Sequence, residues 1–73
     1  MDRLYVLERA RDGKRFDFYK ELRGEKLTYI IREHGLGSQD SITTDRIAVE
    51  AFKQSLLRDG YMQMPVADVP PAS

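Results

Sequence analysis

The chain has 73 residues, of which 41% are hydrophobic and 33% are charged, a balance that excludes the composition of a disordered chain. Its twelve basic and twelve acidic side chains cancel, which argues against general electrostatic binding to nucleic acid. The length allows one small domain, and the lack of cysteine excludes disulfides and thiolate metal sites.

The first part of the chain predicts three strands, which are residues 3–9, 15–22 and 26–33. The second strand alternates most clearly, with Phe16, Phe18 and Leu22 on its core face. The first strand carries apolar groups on both faces, so we expect it to contact the core on one side and a partner on the other. Short turns containing glycine join the three strands into an antiparallel meander.

Residues 43–60 predict a helix. Apolar side chains at three- and four-residue steps predict a core-facing stripe made of Ile47, Ala48, Ala51, Phe52, Ser55 and Leu56 and widened by Val49 and Leu57. Thr43 or Thr44 is expected to cap the first amide groups. Gly60 is expected to end the helix in a left-handed conformation.

The remaining segments predict a loop at residues 34–41, with Ile42 as an apolar residue just ahead of the helix cap. Residues 61–64 are compatible with one more short extended piece. The predicted fold class is therefore α+β: a small three-stranded antiparallel meander packed on one C-terminal helix. We expect this single domain to span residues 1–64 and to be followed by a flexible, proline-containing tail at residues 65–73.

No arrangement of residues indicates catalysis, a cofactor or a metal. His34 is the only histidine and has no ligand spacing around it, so we interpret it as an exposed loop residue. The segment from Gly35 to Gly37 lacks the later glycine or lysine of a phosphate-binding loop. The acidic residues are scattered and are interpreted as solvated surface, namely Asp12, Asp17, Glu21, Glu25 and Glu33.

A basic group around Asp12 is the most distinctive feature of the first hairpin. Two interpretations of this basic group remain open. It belongs either to an ordinary soluble hairpin or to a contact surface for an acidic protein patch or an RNA phosphate backbone. Tyr5 and Tyr19 would add aromatic anchors to such a surface. The residues predicted to bind a partner are Arg3, Tyr5, Leu7, Arg9, Arg11, Lys14 and Arg15.

The opening residues 1–8, the length, the strands-plus-helix pattern and the proline-containing tail together resemble the small RNA-polymerase-binding regulators of Xanthomonas bacteriophages. The resemblance implies a non-enzymatic transcription inhibitor and antitermination factor. It also implies a partner, bacterial RNA polymerase, contacted near the N-terminus of its largest subunit together with an elongation factor. We expect a monomer in the host bacterial cytoplasm, with no membrane contact and at most secondary contact with nucleic acid.

A small nucleic-acid-binding domain that uses the basic first hairpin is the alternative function. A second resemblance, to the Trp-Gly-Arg domain of DNA-repair regulators, rests on residues 33–37 and on the end of the helix. The chain has no tryptophan, and Glu33-His34-Gly35 does not reproduce the triplet that gives this domain its name.

Overall fold

The computed structural model describes residues 1–35 and 37–65, which form an antiparallel five-stranded sheet and one helix. The elements in chain order are β1 (Asp2–Arg9), β2 (Lys14–Arg23), β3 (Lys26–His34), β4 (Ser38–Thr43), α1 (Arg46–Arg58) and β5 (Met62–Met64). The strands lie in the order β4-β3-β2-β1-β5. The predicted α+β class is confirmed. β1, β2 and β3 pair in the predicted antiparallel meander, but β4 and β5 extend the sheet, so the predicted count of three strands is wrong. The predicted tail lies outside the described residues from position 66 onward.

β4 replaces part of the predicted loop. It pairs with β3 from Ser38 to Thr43, and the guanidinium of Arg32 binds the carboxylate of Asp40 across the two strands at 2.9 Å. The sequence of β4 is polar and does not alternate, so it does not by itself indicate a strand. Pairing with the free edge of β3 and this ion pair hold the segment in the extended conformation. Ile42 precedes the helix cap as predicted, but it lies within β4 and is 56% exposed.

β5 confirms the predicted short extended piece. It pairs antiparallel with β1 opposite Val6, Leu7 and Glu8. These residues of β1 therefore lie between two strands, with β2 on the other side. Within the described part of the chain, no helix is long and apolar enough to cross a membrane.

The residue that caps the start of the helix lies one position after the two predicted candidates. The carboxylate of Asp45 accepts hydrogen bonds from the amides of Ile47 and Ala48 at 3.0 and 3.3 Å, so Asp45 is the cap. The hydroxyl of Thr43 instead accepts a hydrogen bond from the amide of Asp45. The prediction of Thr43 or Thr44 as the cap is wrong, since a carboxylate was available at the next position.

The predicted end of the helix is confirmed. Gly60 has φ +92°, in the left-handed region. Its amide donates to the carbonyl of Leu57, and the amide of Tyr61 donates to the carbonyl of Leu56. This pair of bonds closes the last turn, and the buried side chains of Tyr61 and Leu56 both belong to the core cluster.

The helix buries only part of the predicted stripe. Val49 and Leu56 are buried and Phe52 is half-buried, whereas Ile47 is 81% exposed. The other predicted stripe residues that are exposed are Ala48, Ala51, Ser55 and Leu57. Alanine and serine offer little apolar area, so the largest gain from burial comes from the line of Val49, Phe52 and Leu56.

The core lies between α1 and one face of the sheet. Its buried cluster consists of Leu7, Phe18, Ile31, Val49, Leu56 and Tyr61. The ring of Phe16 contacts those of Phe52 and Tyr61 edge-on, with centroids 5.3 and 5.6 Å apart. These contacts are the geometry that aromatic pairs prefer.

The predicted place of Leu22 in this core is wrong, because Leu22 is 68% exposed. The strand that carries it has 10 residues and is about 33 Å long at the usual rise. The 13-residue helix is only about 20 Å long. Within residues 1–35 and 37–65, one end of the β2–β3 hairpin therefore has no helix to cover it.

Truncation of Phe18 tests the assignment of the core. Because Phe18 is 1% exposed at the centre of the cluster, Phe18→Ala is expected to lower the free energy of unfolding by about 3–5 kcal/mol. The matched control Ile47→Ala, at an exposed helix position, is expected to change it by less than about 0.5 kcal/mol. Chemical denaturation measures both, and a larger loss in the control would contradict this orientation of the helix.

Candidate interaction surface

A β-bulge between Arg3 and Tyr5, together with the alternation of β1 and β2, divides the seven predicted partner-binding residues among three places. Tyr5, Leu7 and Arg9 lie on the side that faces the helix. Arg3 and Arg15 lie on the opposite side, and Arg11 in the turn and Lys14 at the start of β2 lie at the tip of the hairpin. The structure therefore does not bring the seven residues together on one surface.

Tyr5 and Leu7 belong to the core side. Leu7 is fully buried, so a partner cannot contact its side chain in the folded protein. The ring of Tyr5 lies 4.7 Å from that of Phe18, and the ammonium of Lys53 lies 4.3 Å above it. Burial, together with the nearby Glu50 carboxylate, raises the pKa of Tyr5 to about 12.

Arg9 fixes the first hairpin to the end of the helix. Its guanidinium donates to both carboxylate oxygens of Asp12 at 3.1 and 2.7 Å and to the carboxylate of Asp59 at 2.7 Å. It also lies 4.8 Å from the centroid of the Tyr61 ring. We call these contacts of Arg9 with Asp12, Asp59 and Tyr61 the Arg9 clamp. No local sequence pattern indicates this clamp, because Asp59 is 50 residues away from Arg9 along the chain.

The turn beyond this clamp is basic and exposed. Gly13 has φ +71°, its amide donates to the carbonyl of Arg9, and the amide of Lys14 donates to the carboxylate of Asp12. Arg11 and Lys14 are both exposed. Since Asp12 and Asp59 compensate the charge of Arg9, the positive charge available at this turn comes from Arg11 and Lys14.

The sheet face opposite the helix, which we call the open face, carries long polar side chains above a buried layer. Val6, Tyr19 and Ile30 are buried on this face, although no helix in the described residues covers them. The guanidinium groups of Arg3 and Arg32 lie 5.7 and 5.3 Å from the centroid of the Tyr19 ring. The aliphatic stems of arginine can thus shield apolar groups while the charged ends reach water.

Asp17 lies at the centre of the open face and is 1% exposed. The hydroxyl of Tyr19 donates to its carboxylate at 3.1 Å, and a ring nitrogen of His34 lies 3.3 Å from the same oxygen. Arg3 approaches that oxygen at 3.7 Å. Arg15 forms an ion pair with the other oxygen at 3.0 Å, without the geometry of a hydrogen bond. We call Asp17, Arg3, Arg15, Tyr19 and His34 the Asp17 cluster.

The interpretation of Asp17 as solvated surface and of His34 as an exposed loop residue is therefore wrong. Asp17 lies in the central strand, and His34 ends β3 directly opposite Arg15. The signal in the sequence was an acidic residue between Phe16 and Phe18. A buried carboxylate at such a position requires cationic or hydrogen-bonding neighbours.

The Arg9 clamp predicts an acid-sensitive contribution to stability. Hydrogen bonding from Arg9 lowers the pKa of Asp12 from 3.8 to about 2, so folding favours the ionised form. The stabilising contribution is complete above the ordinary pKa and is lost as the pH falls toward about 2.

Arg9→Gln is therefore expected to raise the pKa of Asp12 toward 3.8 and to reduce the pH dependence of unfolding in this range. Carbon-13 NMR of the Asp12 carboxyl group measures the pKa directly. The matched control is Arg11→Gln, at an exposed arginine in the same hairpin. This variant should leave the pKa of Asp12 near 2. An unchanged pKa in Arg9→Gln would show that the clamp does not set the ionisation of Asp12.

Among residues 1–35 and 37–65, no group of three or more acidic or histidine side chains is arranged to hold a metal ion. Comparisons with known protein families, with curated proteins and with solved structures found no match to this chain.

Proposed function

We propose that this chain is a non-enzymatic regulator of transcription that binds bacterial RNA polymerase, inhibits initiation and promotes antitermination. The polymerase as partner, its contact near the N-terminus of the largest subunit and the elongation factor come from the resemblance described above. That resemblance rests on the length, the opening residues, the strands-plus-helix pattern and the proline-containing tail. On this proposal the protein acts as a monomer in the host bacterial cytoplasm. Contact with nucleic acid is secondary, because the charge of the whole chain is zero.

The structural observation that supports the proposal is the basic tip of the first hairpin. Arg11 and Lys14 are exposed beside a turn that the Arg9 clamp fastens to the helix. A surface held in one conformation before binding loses less conformational entropy when a partner docks. Its positive charge would also accelerate encounter with an acidic surface.

The alternative function is direct binding of nucleic acid by the same hairpin tip. Salt dependence separates the two, because each neutralised phosphate steepens the fall of log K with log salt by about 0.9 for duplex DNA. A hairpin that mainly contacts protein carboxylates would bind polymerase without needing nucleic acid.

The test reverses the charge of the hairpin tip in the double variant Arg11→Glu/Lys14→Glu. The matched control is Arg23→Glu/Lys26→Glu, at the β2–β3 turn, where both side chains are also exposed. The hairpin variant is expected to bind purified polymerase about tenfold more weakly, which corresponds to about 1.4 kcal/mol. The control is expected to bind like the parent chain. Circular dichroism should be unchanged in both variants.

Equal loss in both variants would mean that the basic tip of the first hairpin has no special role and would contradict the proposal. Failure of the parent chain to bind nucleic-acid-free polymerase would exclude polymerase as the direct partner. Binding to RNA alone, lost in the hairpin variant and weakened steeply by salt, would favour the alternative function.

A further inference from the structure

The two edges of the sheet differ in how readily another strand can pair with them. On one side β5 has only three residues and is followed by Pro65, which has no amide to donate. β1 continues beyond β5 on that side, with a β-bulge between Arg3 and Tyr5. On the other side β4 has six residues, and its register with β3 runs from Ser38 to Thr43 without a shift. β4 is therefore the longer and more regular edge.

The outer side of β4 presents backbone groups to solvent. In an antiparallel sheet, alternate residues of an edge strand direct their amide and carbonyl away from the neighbouring strand. Outside the ladder with β3, no backbone–backbone hydrogen bond involves residues 38–43 in the part of the chain that the structure describes. Five of these six residues are exposed and Thr43 is half-buried, so a second strand can reach the edge.

β4 also lacks the features that usually keep an edge strand from pairing with another chain. Such features are proline, lysine or a bulge along the edge, or an element that covers it. The sequence of β4, Ser-Gln-Asp-Ser-Ile-Thr, contains neither proline nor lysine. Among residues 1–35 and 37–65, no strand lies beyond β4 in the sheet. The edge is therefore open to a further strand.

Two side chains of β4 determine which residues a further strand would carry. Ile42 lies opposite Ile30, which is buried on the open face, and Asp40 shares this face because it is two residues away. Each oxygen of the Asp40 carboxylate accepts one hydrogen bond from Arg32, at 2.9 and 3.2 Å. A carboxylate offers about four lone-pair sites, so Asp40 can also accept from a donor on its outer side. Ile42 is 56% exposed and provides apolar area next to it.

We propose that β4 binds an extended segment of a protein partner, which adds a further antiparallel strand to the sheet. The segment carries a basic residue opposite Asp40 and an apolar residue opposite Ile42. In an antiparallel strand these positions give the order apolar-x-basic. Antiparallel pairing is favoured because it is slightly more stable per residue than parallel pairing. The proposal uses no residue of the hairpin tip and does not depend on polymerase being the partner.

The chemistry of this edge favours a peptide strand over nucleic acid and over a second copy of the chain. Amides and carbonyls that alternate along β4 match another peptide backbone, whereas a phosphate backbone has no row of amide donors to match them. In the registers of longest overlap, two β4 strands related by a two-fold axis would place their Asp40 carboxylates directly opposite or diagonal to each other. Like charges in such positions oppose pairing.

The test titrates a six-residue peptide, Thr-Val-Thr-Lys-Thr-Thr with blocked ends, into the isotope-labelled full chain. Its valine lies opposite Ile42 and its lysine opposite Asp40. Amide shifts are expected along β4 and not at exposed helix residues such as Gln54. With the peptide in excess, hydrogen exchange is expected to slow by at least about fivefold at alternate residues of β4, because only those amides donate to the new strand. A second peptide with glutamate in place of lysine is expected to bind about threefold more weakly.

Protein variants then locate the contact. Asp40→Asn is expected to remove most of the preference for the lysine peptide over the glutamate peptide. Ile42→Ser is expected to weaken binding of both peptides about twofold. The matched control is Glu25→Gln, at an exposed acidic residue in the β2–β3 turn, which should leave the preference unchanged. An NMR spectrum of each variant verifies that it is folded before binding is measured.

Several results would overturn the proposal. Absence of shifts at β4 with the lysine peptide in large excess, or unchanged hydrogen exchange there, would mean that no strand is added. Equal affinity of the parent chain for the two peptides would mean that Asp40 does not select the partner.

Two further results would assign the edge to a different occupant and would also overturn the proposal. One is dimerisation of the free chain with slow exchange at alternate residues of β4, which would indicate a second copy. The other is shifts at β4 produced by a six-nucleotide uridine RNA but not by the lysine peptide, which would indicate nucleic acid. Polymerase is absent from all of these experiments, so their failure is distinct from failure of the hairpin experiment.

Discussion

The structure depends on burying both faces of the central strand β2 in a chain that has only one helix in the part described. Phe18 and Asp17 are neighbours in sequence, point to opposite faces, and are each 1% exposed. On the helix side an apolar cluster surrounds Phe18. On the open face the same degree of burial is reached with charged residues, since arginine side chains enclose the Asp17 carboxylate and the Tyr19 ring. One strand is thus stabilised by packing on one side and by ion pairs on the other.

This arrangement determines which surfaces remain for a partner. Leu7 and Tyr5 are committed to the core side, and Arg9 is committed to its clamp. What remains exposed on the first hairpin is the basic tip at Arg11 and Lys14, which the Arg9 clamp holds beside the end of the helix.

The sequence predicted the elements whose signals are local. β2 and β3 followed from alternation, and the end of the helix followed from Gly60, whose left-handed φ matches its position. β4 was not predicted, because its conformation depends on pairing with the edge of β3 and not on a pattern in its own sequence. The buried face of the helix was predicted too broadly, because the prediction counted apolar positions without regard to side-chain size and so treated Ala51 like Val49. The Asp17 cluster was missed because it depends on strand register, which places His34 opposite Arg15.

The central claim is that the Asp17 carboxylate is what holds the open face together, and the stability of Asp17→Asn tests it most directly. Asp17 is 1% exposed and is the acidic partner of both Arg3 and Arg15, so neutralising it removes a buried set of ion pairs, and the expected loss is about 3–5 kcal/mol. Asp40→Asn is the matched control on the same face, because Asp40 pairs with Arg32 at an exposed position and should cost at most about 1 kcal/mol. Denaturant unfolding of the two variants beside the parent chain gives the comparison. A much larger loss in Asp17→Asn is the predicted result, and equal stability of the two variants would contradict the account.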